Sequence, residues 1–419
     1  MKLPHSLKLV QQLRHEMDWK VERAKNGELT LILNGYYLYS KYNPQKDAET
    51  FISRELQENT GTIIVFGLGL GYHVQALLEK NPALKIFVIV ADPKEITLCQ
   101  MYGDKEVLKR IIVVNDAIDL PNDEETQVII PISWLKAIGS HPLVEVLEDI
   151  KMKQMSYQAT KEKMYDNFIE NIEDAEPFIS KKQLGTQHKI AVLVSSGPSL
   201  NELLPILKTH QNDIYILVVG SALKILLQNS IIPDAVIISD PQDNIIYQLK
   251  GSQFKGMLYY LCTANAKAVS IHDGEKQILF QKGYALAEKI AKENDLICFE
   301  TGGSVATLAF SMLASCQFEA IILVGQDLGF AGDQTHAVGS TSGVNVKNKK
   351  TLKQLIDNSG EMIYTNHNLN VYYRWFNEQV PKAKTKIYNT ALHGAKITGA
   401  PYINLQQLKQ LIENHTINY

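Results

Sequence analysis

The residues of this chain best placed to do chemistry lie in the segment Val192 to Leu200, VLVSSGPSL. The apolar run Val192-Leu193-Val194 has strand character and stops at Ser195-Ser196-Gly197-Pro198, and a helix is expected to open at Ser199. Gly197 has no Cβ to hold a ligand off the backbone, and Pro198 suits a first helical turn. Amides at a helix start attract anions. The segment reads as half of a nucleotide site. Further along, Phe299-Glu300-Thr301-Gly302-Gly303-Ser304 repeats the arrangement ahead of a small-residue helix, Ser304 to Ser315. One glycine loop is weak evidence for a ligand. Two in one sheet, projecting from neighbouring strands, would make a paired amide cradle for a single nucleotide.

Single residues around these loops carry both a functional and a structural reading. Asp240 ends Ile238-Ser239-Asp240, where it either binds a ribose or sugar hydroxyl or serves as a turn acid. Asp327, in Gly325-Gln326-Asp327-Leu328, follows the apolar strand Ala320 to Val324, where open α/β sheets hold ligands; a structural strand-end acid is the rival. His336 lies in the polar stretch Phe330 to Lys350, which has the length and composition of a lid. An imidazole there suits removal of a hydroxyl proton, worth about 10²–10⁴-fold in rate. A solvated loop histidine is the alternative. His393, in His393-Gly394-Ala395-Lys396, has no partner recognisable in the sequence and reads as structural.

The elements that must position these residues follow from alternation of apolar runs with helical patterns. Residues 1–140 read as an N-terminal Rossmann-like domain. It has a strand pair joined at Asn34-Gly35, a strand Thr62 to Phe66, the turn Gly67-Leu68-Gly69-Leu70-Gly71, a helix, and a strand Ile86 to Val90 leading to Asp92. That motif fits a dinucleotide or S-adenosylmethionine pocket with Asp92 on the ribose, or a domain that keeps the turn and binds nothing. Residues 141–187 read as a helical connector. Residues 188–419 read as a doubly wound sheet with strands at Ile190 to Val194, Ile214 to Val219, Ala235 to Ser239, Met257 to Leu261, Ile297 to Phe299 and Ala320 to Val324, closed by C-terminal helices and a short strand, Lys386 to Asn389.

Composition narrows the partners. A formal net charge of −3 over 419 residues gives no electrostatic case for nucleic acid. The four cysteines show neither metal-ligand nor redox spacing, so reduced core thiols are expected. No stretch has the length of a membrane span, and the charged N-terminal segment lacks the apolar run of a signal peptide. A cytoplasmic location is the expectation.

At VSSGPSL, PDAVIISD (Pro233 to Asp240), TGGSVATLA (Thr301 to Ala309), GQDLGF (Gly325 to Phe330), THAVGS (Thr335 to Ser340) and HGAKITG (His393 to Gly399) the chain resembles the motility accessory factor (Maf) family of flagellin glycosyltransferases. The central domain of that family is similar to a bacterial sialyltransferase fold that binds a CMP-sugar. The resemblance implies a sialyltransferase-like second domain with donor contacts at Gly197, Pro198, Ser199, Gly302, Gly303 and Ser304, and His336 as base. From the loops themselves, Ser195, Ser196, Asp240 and Thr301 join the donor contacts and Asp327 the catalytic group. The resemblance also implies transfer of pseudaminic or legionaminic acid from a CMP-activated donor to Ser or Thr hydroxyls of flagellin. Helix-start amides at Ser199 and Ser304 would hold the charge of the departing phosphate. No Asp-x-Asp metal clamp stands near the second sheet, so a transfer without metal or cofactor is expected. Three rivals stand beside this reading. The core also resembles archaeal pterin diphosphokinases, which would hold ATP and magnesium through Asp240 and Asp327. The Gly67 to Asp92 run could serve an S-adenosylmethionine-dependent methyltransferase. A flagellin-binding escort without activity is the third.

Overall fold

Continuous apolar runs such as TIIVF, IAVLV and AIILV are buried on both faces, as parallel strands covered by helices on each side must be. The computed structural model describes residues 17–58, 60–114, 126–139, 141, 143–173, 175–178, 188–330, 337, 340 and 352–415. The chain divides into two units, Met1–Ala159 and Thr160–Tyr419.

In the first unit β1 (Trp19–Arg23), β2 (Leu29–Leu33) and β3 (Tyr36–Tyr37) form an antiparallel sheet. Asn34 and Gly35, at φ 50° and 83°, make the tight turn that Asn-Gly signals. α1 (Pro44–Glu55) starts where the Asn43 side chain accepts from Lys46 N at 3.0 Å. Then come β4 (Thr62–Phe66), α2 (Tyr72–Lys80), β5 (Lys85–Ile89), α3 (Lys94–Tyr102), α4 (Lys105–Lys109), β6 (Ile111–Val113), β7 (Thr126–Ile129) and α5 (Ile132–Ile138). The four strands are parallel in the order β6-β5-β4-β7. Ile63 and Val65 pack with Leu77 and Val88 on one face; Ile64 and Phe66 pack with Leu31 and Trp134 on the other. The Rossmann-like expectation holds.

The span expected as a connector is occupied by α6 (Leu143–Ile172), and the division between the units falls inside this helix.

The second unit is built on eight parallel strands: β8 (Ile190–Val194), β9 (Tyr215–Val219), β10 (Ala235–Ile238), β11 (Met257–Leu261), β12 (Lys276–Gln281), β13 (Cys298–Phe299), β14 (Ala320–Val324) and, later in the chain, β17 (Lys386–Asn389). Between them lie α7 (Leu200–His210), α8 (Gly220–Gln228), α9 (Ile246–Leu249), α10 (Ala266–Ser270), α11 (Ala285–Glu293) and α12 (Val305–Ala314). The hairpin β15 (Lys353–Ile356) and β16 (Met362–Thr365), then α13 (His367–Gln379), precede β17, and α14 (Leu405–His415) closes the described chain. The sheet order is β13-β12-β11-β10-β9-β8-β14-β17. Strands are laid down outward from β8 to β13. α12 then runs back against β13, β10, β9 and β8, and β14 joins on the other side of β8. The switch of direction therefore falls at β8, where ligands bind in sheets of this kind. β12 and the β15–β16 hairpin are additions to the sequence-based elements. In β12 only Ile278, Leu279 and Phe280 are apolar, between Gln277 and Gln281, which is too short a run to read as a buried strand.

Among the described residues no helix is long and apolar enough to cross a membrane.

Candidate functional site

β8 and β14 pair in register from Ile190 opposite Ala320 to Val194 opposite Val324, so the loops that leave them emerge side by side. The pairing continues past the strands: Ser195 N donates to Val324 O and Gly197 N to Gly325 O, both at 2.8 Å. Side chains then join the loops. Ser195 Oγ donates to Gln326 Oε1 at 2.7 Å, and Asp327 accepts from Ser199 N at 3.2 Å and from Ser199 Oγ at 2.8 Å. A Cβ on Gly197 would overlap Asp327 Oδ2 and Gly325 O, so glycine is there to let two loops touch.

Asp327 thus caps the start of α7, which favours a negative charge. The amide at Ser199 is already bonded to this carboxylate, and that at Ser304 to Thr307 Oγ1 at 3.4 Å. Neither of the two helix-start amides named from the sequence is free, a correction to the expected phosphate contacts. Burial pushes the Asp327 carboxyl up to about 6, against the bonds from Ser199 that lower it. A folded value above the unfolded one of 3.8 means that stability is fullest below pH 4 and is lost as pH rises through 6. Asp327→Asn keeps an acceptor for Ser199 and removes the charge. At pH 7 the variant is expected to be more stable than wild type, by at most about 3 kcal/mol, and near parity at pH 4. Urea titration at both pH values measures this; a variant less stable at pH 7 contradicts it.

Next along the carboxyl edge, Ser221 in the first turn of α8 donates to Ser196 Oγ at 2.9 Å. Asp240, beyond β10, accepts from Gln242 N at 2.9 Å through Oδ1, so the turn role is realised. α6 buttresses this end of the sheet, since Asn167 donates to Pro241 O at 3.1 Å and Asn171 to Ala264 O at 2.7 Å. The second glycine loop lies elsewhere than expected. It leaves β13 at the sheet's edge, five strand intervals from β8, on the order of 24 Å. The two loops do not project from neighbouring strands; the insertion of β12 and the outward order of the strands put them apart. From that edge Thr301 leads inward. Gly302 N donates to Thr307 Oγ1 at 2.8 Å, Ser304 caps α12, and Gly302 and Gly303 pack on Trp375 and Tyr372 of α13. Burial, aided by the charge of Asp240, raises the Tyr372 phenol above its ordinary value. Tyr372 thus lies against Gly303 and within the electrostatic reach of Asp240.

His336 lies outside the described residues. The residue after it in the chain, Ala337, donates its amide to Ser196 O at 2.7 Å. Asp240 and Asp327 follow strands three intervals apart, about 14 Å, too far to share one magnesium ion. Among the described residues no group of three or more His, Cys, Asp or Glu side chains could hold a metal ion.

His393, for which the sequence offers no recognisable partner, has one in the structure. Its Nδ1 lies 3.1 Å from Oδ2 of Asp357, a residue of the β15–β16 turn. Sequence reasoning missed the pair because 36 residues and an unrecognised hairpin separate the two. The only local signal was Asp357-Asn358-Ser359-Gly360, a turn composition.

The glycine turn of the first unit is closed. Glu95, fully buried, accepts from Leu68 N at 2.6 Å and Gly69 N at 3.0 Å, so an internal carboxylate sits where a phosphate would bind. The Trp134 ring covers Gly67, and Asp92 accepts from Trp19 Nε1 at 2.9 Å in place of a ribose hydroxyl. This is the domain that keeps the turn and fills it from within. A cleft of about 510 Å³ in the second unit, lined by Phe318, Lys384 and His415, lies at the amino ends of β14 and β17, the opposite end of the sheet from the site loops.

Fold and site together define a doubly wound α/β protein whose polar loops interlock at the β8 switch point. Residues 162–333 match the family described as 6-hydroxymethylpterin diphosphokinase MptE-like. The whole fold is similar to that of a Maf glycosyltransferase from Magnetospirillum magneticum AMB-1, with a TM-score of 0.52 and 14% identity, covering 96% of this chain and 72% of that one. An uncharacterized protein of Treponema pallidum (strain Nichols) is 32% identical over 78 residues, 18% of this chain. The match spans 27% of the length of that relative. The resemblance suggested by the motifs is thus met at the level of the fold.

Proposed function

We propose that this chain is a glycosyltransferase that moves a sialic-acid-like nonulosonic acid, pseudaminic or legionaminic acid, from a CMP-activated donor to Ser or Thr hydroxyls of flagellin in the cytoplasm. The observation that carries the proposal is the interlocking of Ser195–Ser199 with Gly325–Asp327 at the switch point, within a fold like that of a Maf glycosyltransferase. The donor lies along the carboxyl ends of β8, β9 and β10. Ser195, Ser196, Gly197 and Pro198 border the phosphate, and Asp240 takes a ribose or sugar hydroxyl two strand intervals away, about 10 Å. That span suits a nucleotide-sugar. Thr301, Gly302, Gly303 and Ser304 close the far end through Tyr372. Asp327 positions the Ser199 end of the loop, and His336 is a candidate base. No resident cofactor or metal is part of this reading.

The test is the intact mass of flagellin co-expressed with the chain and a CMP-nonulosonate pathway. The expected result is an increase by whole nonulosonate residues, absent without the chain; unchanged flagellin refutes the reading. One observation favours a second reading: the match of residues 162–333 to the pterin diphosphokinase family. Calorimetry decides between them, CMP or CTP binding without metal for the first and ATP binding only with magnesium for the second.

A further inference from the structure

We propose that His393, held by Asp357, takes the place of His336 as the base that accepts the proton of the acceptor hydroxyl; this rests on the transfer reading above. Asp357 is 1% exposed, and its two oxygens are divided between two tasks. Oδ1 accepts from Ser359 N at 2.8 Å, Ser359 Oγ at 2.7 Å and Glu361 N at 2.9 Å. Oδ2 faces His393 Nδ1 at 3.1 Å. Burial pushes the Asp357 carboxyl up, but the bonds from Ser359, Glu361 and His393 outweigh it and hold the group below the ordinary range. Asp357 is therefore ionised and can only accept, which makes Nδ1–H the donor and leaves the Nε2 lone pair for a substrate proton. The His393 side chain is 64% exposed, so a macromolecular hydroxyl can reach it.

The pair is not needed to fasten the turn. Asn358 Nδ2 already donates to Ala391 O at 2.8 Å, and Asn358 N to Gly394 O at 3.2 Å. What the turn does add is position. β17 lies beside β14, so the segment after it emerges at the same edge as the Ser195 and Asp327 loops. Gly394 packs on Asp327 Cα, and Ala395 N donates to Asp327 O at 2.7 Å, while the Asp327 carboxylate holds Ser199. His393 thus stands two residues from a direct link to the loop that borders the donor phosphate.

In the step, the acceptor oxygen bonds to the anomeric carbon as the bond from that carbon to the phosphate oxygen breaks. CMP leaves with the electron pair, and the hydroxyl proton passes to Nε2. Asp357 is a positioning residue that stabilises the imidazolium formed. The charged groups on the elements packed around His393 include Lys353, Asp357 and Glu361 of the hairpin, Asp327 against Gly394, and Lys396 of its own turn.

The experiment uses the full chain with flagellin and CMP-pseudaminic or CMP-legionaminic acid, following CMP release against pH for wild type, His393→Ala, Asp357→Asn and His336→Ala. His393→Ala is expected to lower kcat by about 10²–10⁴-fold with little change in donor KM, and added imidazole to restore part of it. Asp357→Asn no longer fixes Nδ1–H as the donor, so kcat is expected to fall with donor KM unchanged, a split that a merely structural hydrogen bond would not cause. Asp357→Glu, which keeps an acceptor-only carboxylate, should retain more of the wild-type kcat than Asp357→Asn. An active wild type whose His393→Ala variant keeps its kcat overturns the base assignment alone, and loss only in His336→Ala moves it there. A wild type that releases no CMP with either donor overturns the transfer reading and this assignment with it.

Discussion

Gly67→Ala is expected to unfold the first unit or lower its melting temperature by roughly 10 °C or more. Gly67 has φ +82°, a region that costs an alanine about 1–2 kcal/mol. Its new Cβ would overlap the Trp134 ring. That ring has nowhere to go. It is 1% exposed, meets Tyr39 edge-on at 5.3 Å and His73 at 5.3 Å, and donates Nε1–H to Glu95 Oε2 at 3.4 Å. His73 is fixed in turn, bonded to Gly67 O at 2.9 Å and to Tyr39 Oη at 3.0 Å, and burial lowers it to about 4, so it is neutral at pH 7. Overpacking such a cluster adds about 1–3 kcal/mol. The sum, on the order of 2–5 kcal/mol, is a large part of the stability of one domain. Hydrogen exchange of the β4 and β5 peptides reads the effect directly. Protection equal to wild type would show that the cluster yields more easily than its contacts imply.

Gly197→Ala is expected to weaken donor binding at least about 100-fold, near 2.7 kcal/mol, and to abolish detectable transfer. The added methyl meets a backbone carbonyl and a buried carboxylate, neither of which is the loose end of a flexible chain. It would force the Ser195–Ser199 loop away from Gly325 and break the Ser199 bonds to Asp327. Gly303→Ala provides the contrast. Its Cβ would come only within 3.5 Å of Tyr372, so at this far end of the proposed donor site the cost is that of φ +91°, about 1–2 kcal/mol, with the Ser195–Ser199 and Gly325–Asp327 loop contacts left intact. Calorimetry with CMP on both variants gives the comparison. Equal affinities would mean that the donor phosphate does not lie at the β8–β14 loop pair.

Legibility from sequence followed the range of the interactions. Strands such as β8 and β14, the Asn34-Gly35 turn and the two glycine loops were readable because a run of apolar residues or a positive φ imprints itself on adjacent positions. Glu95 was invisible as a loop filler, since a helix-start glutamate looks the same whether it faces water or a neighbouring turn. Asp92 at a strand's end has the position of a ribose ligand, and no local pattern signals that the Trp19 indole bonds to it.

By itself, then, the amino-acid order determined which segments become buried parallel strands and which turns demand glycine, since both are set within a few residues by burial periodicity and backbone sterics. Only the tertiary structure decided that β12 separates β11 from β13, that β14 returns to the side of β8, and that Asp357 meets His393. Those outcomes depend on the order in which strands pair and on contacts between residues distant in the chain, and no local pattern encodes them.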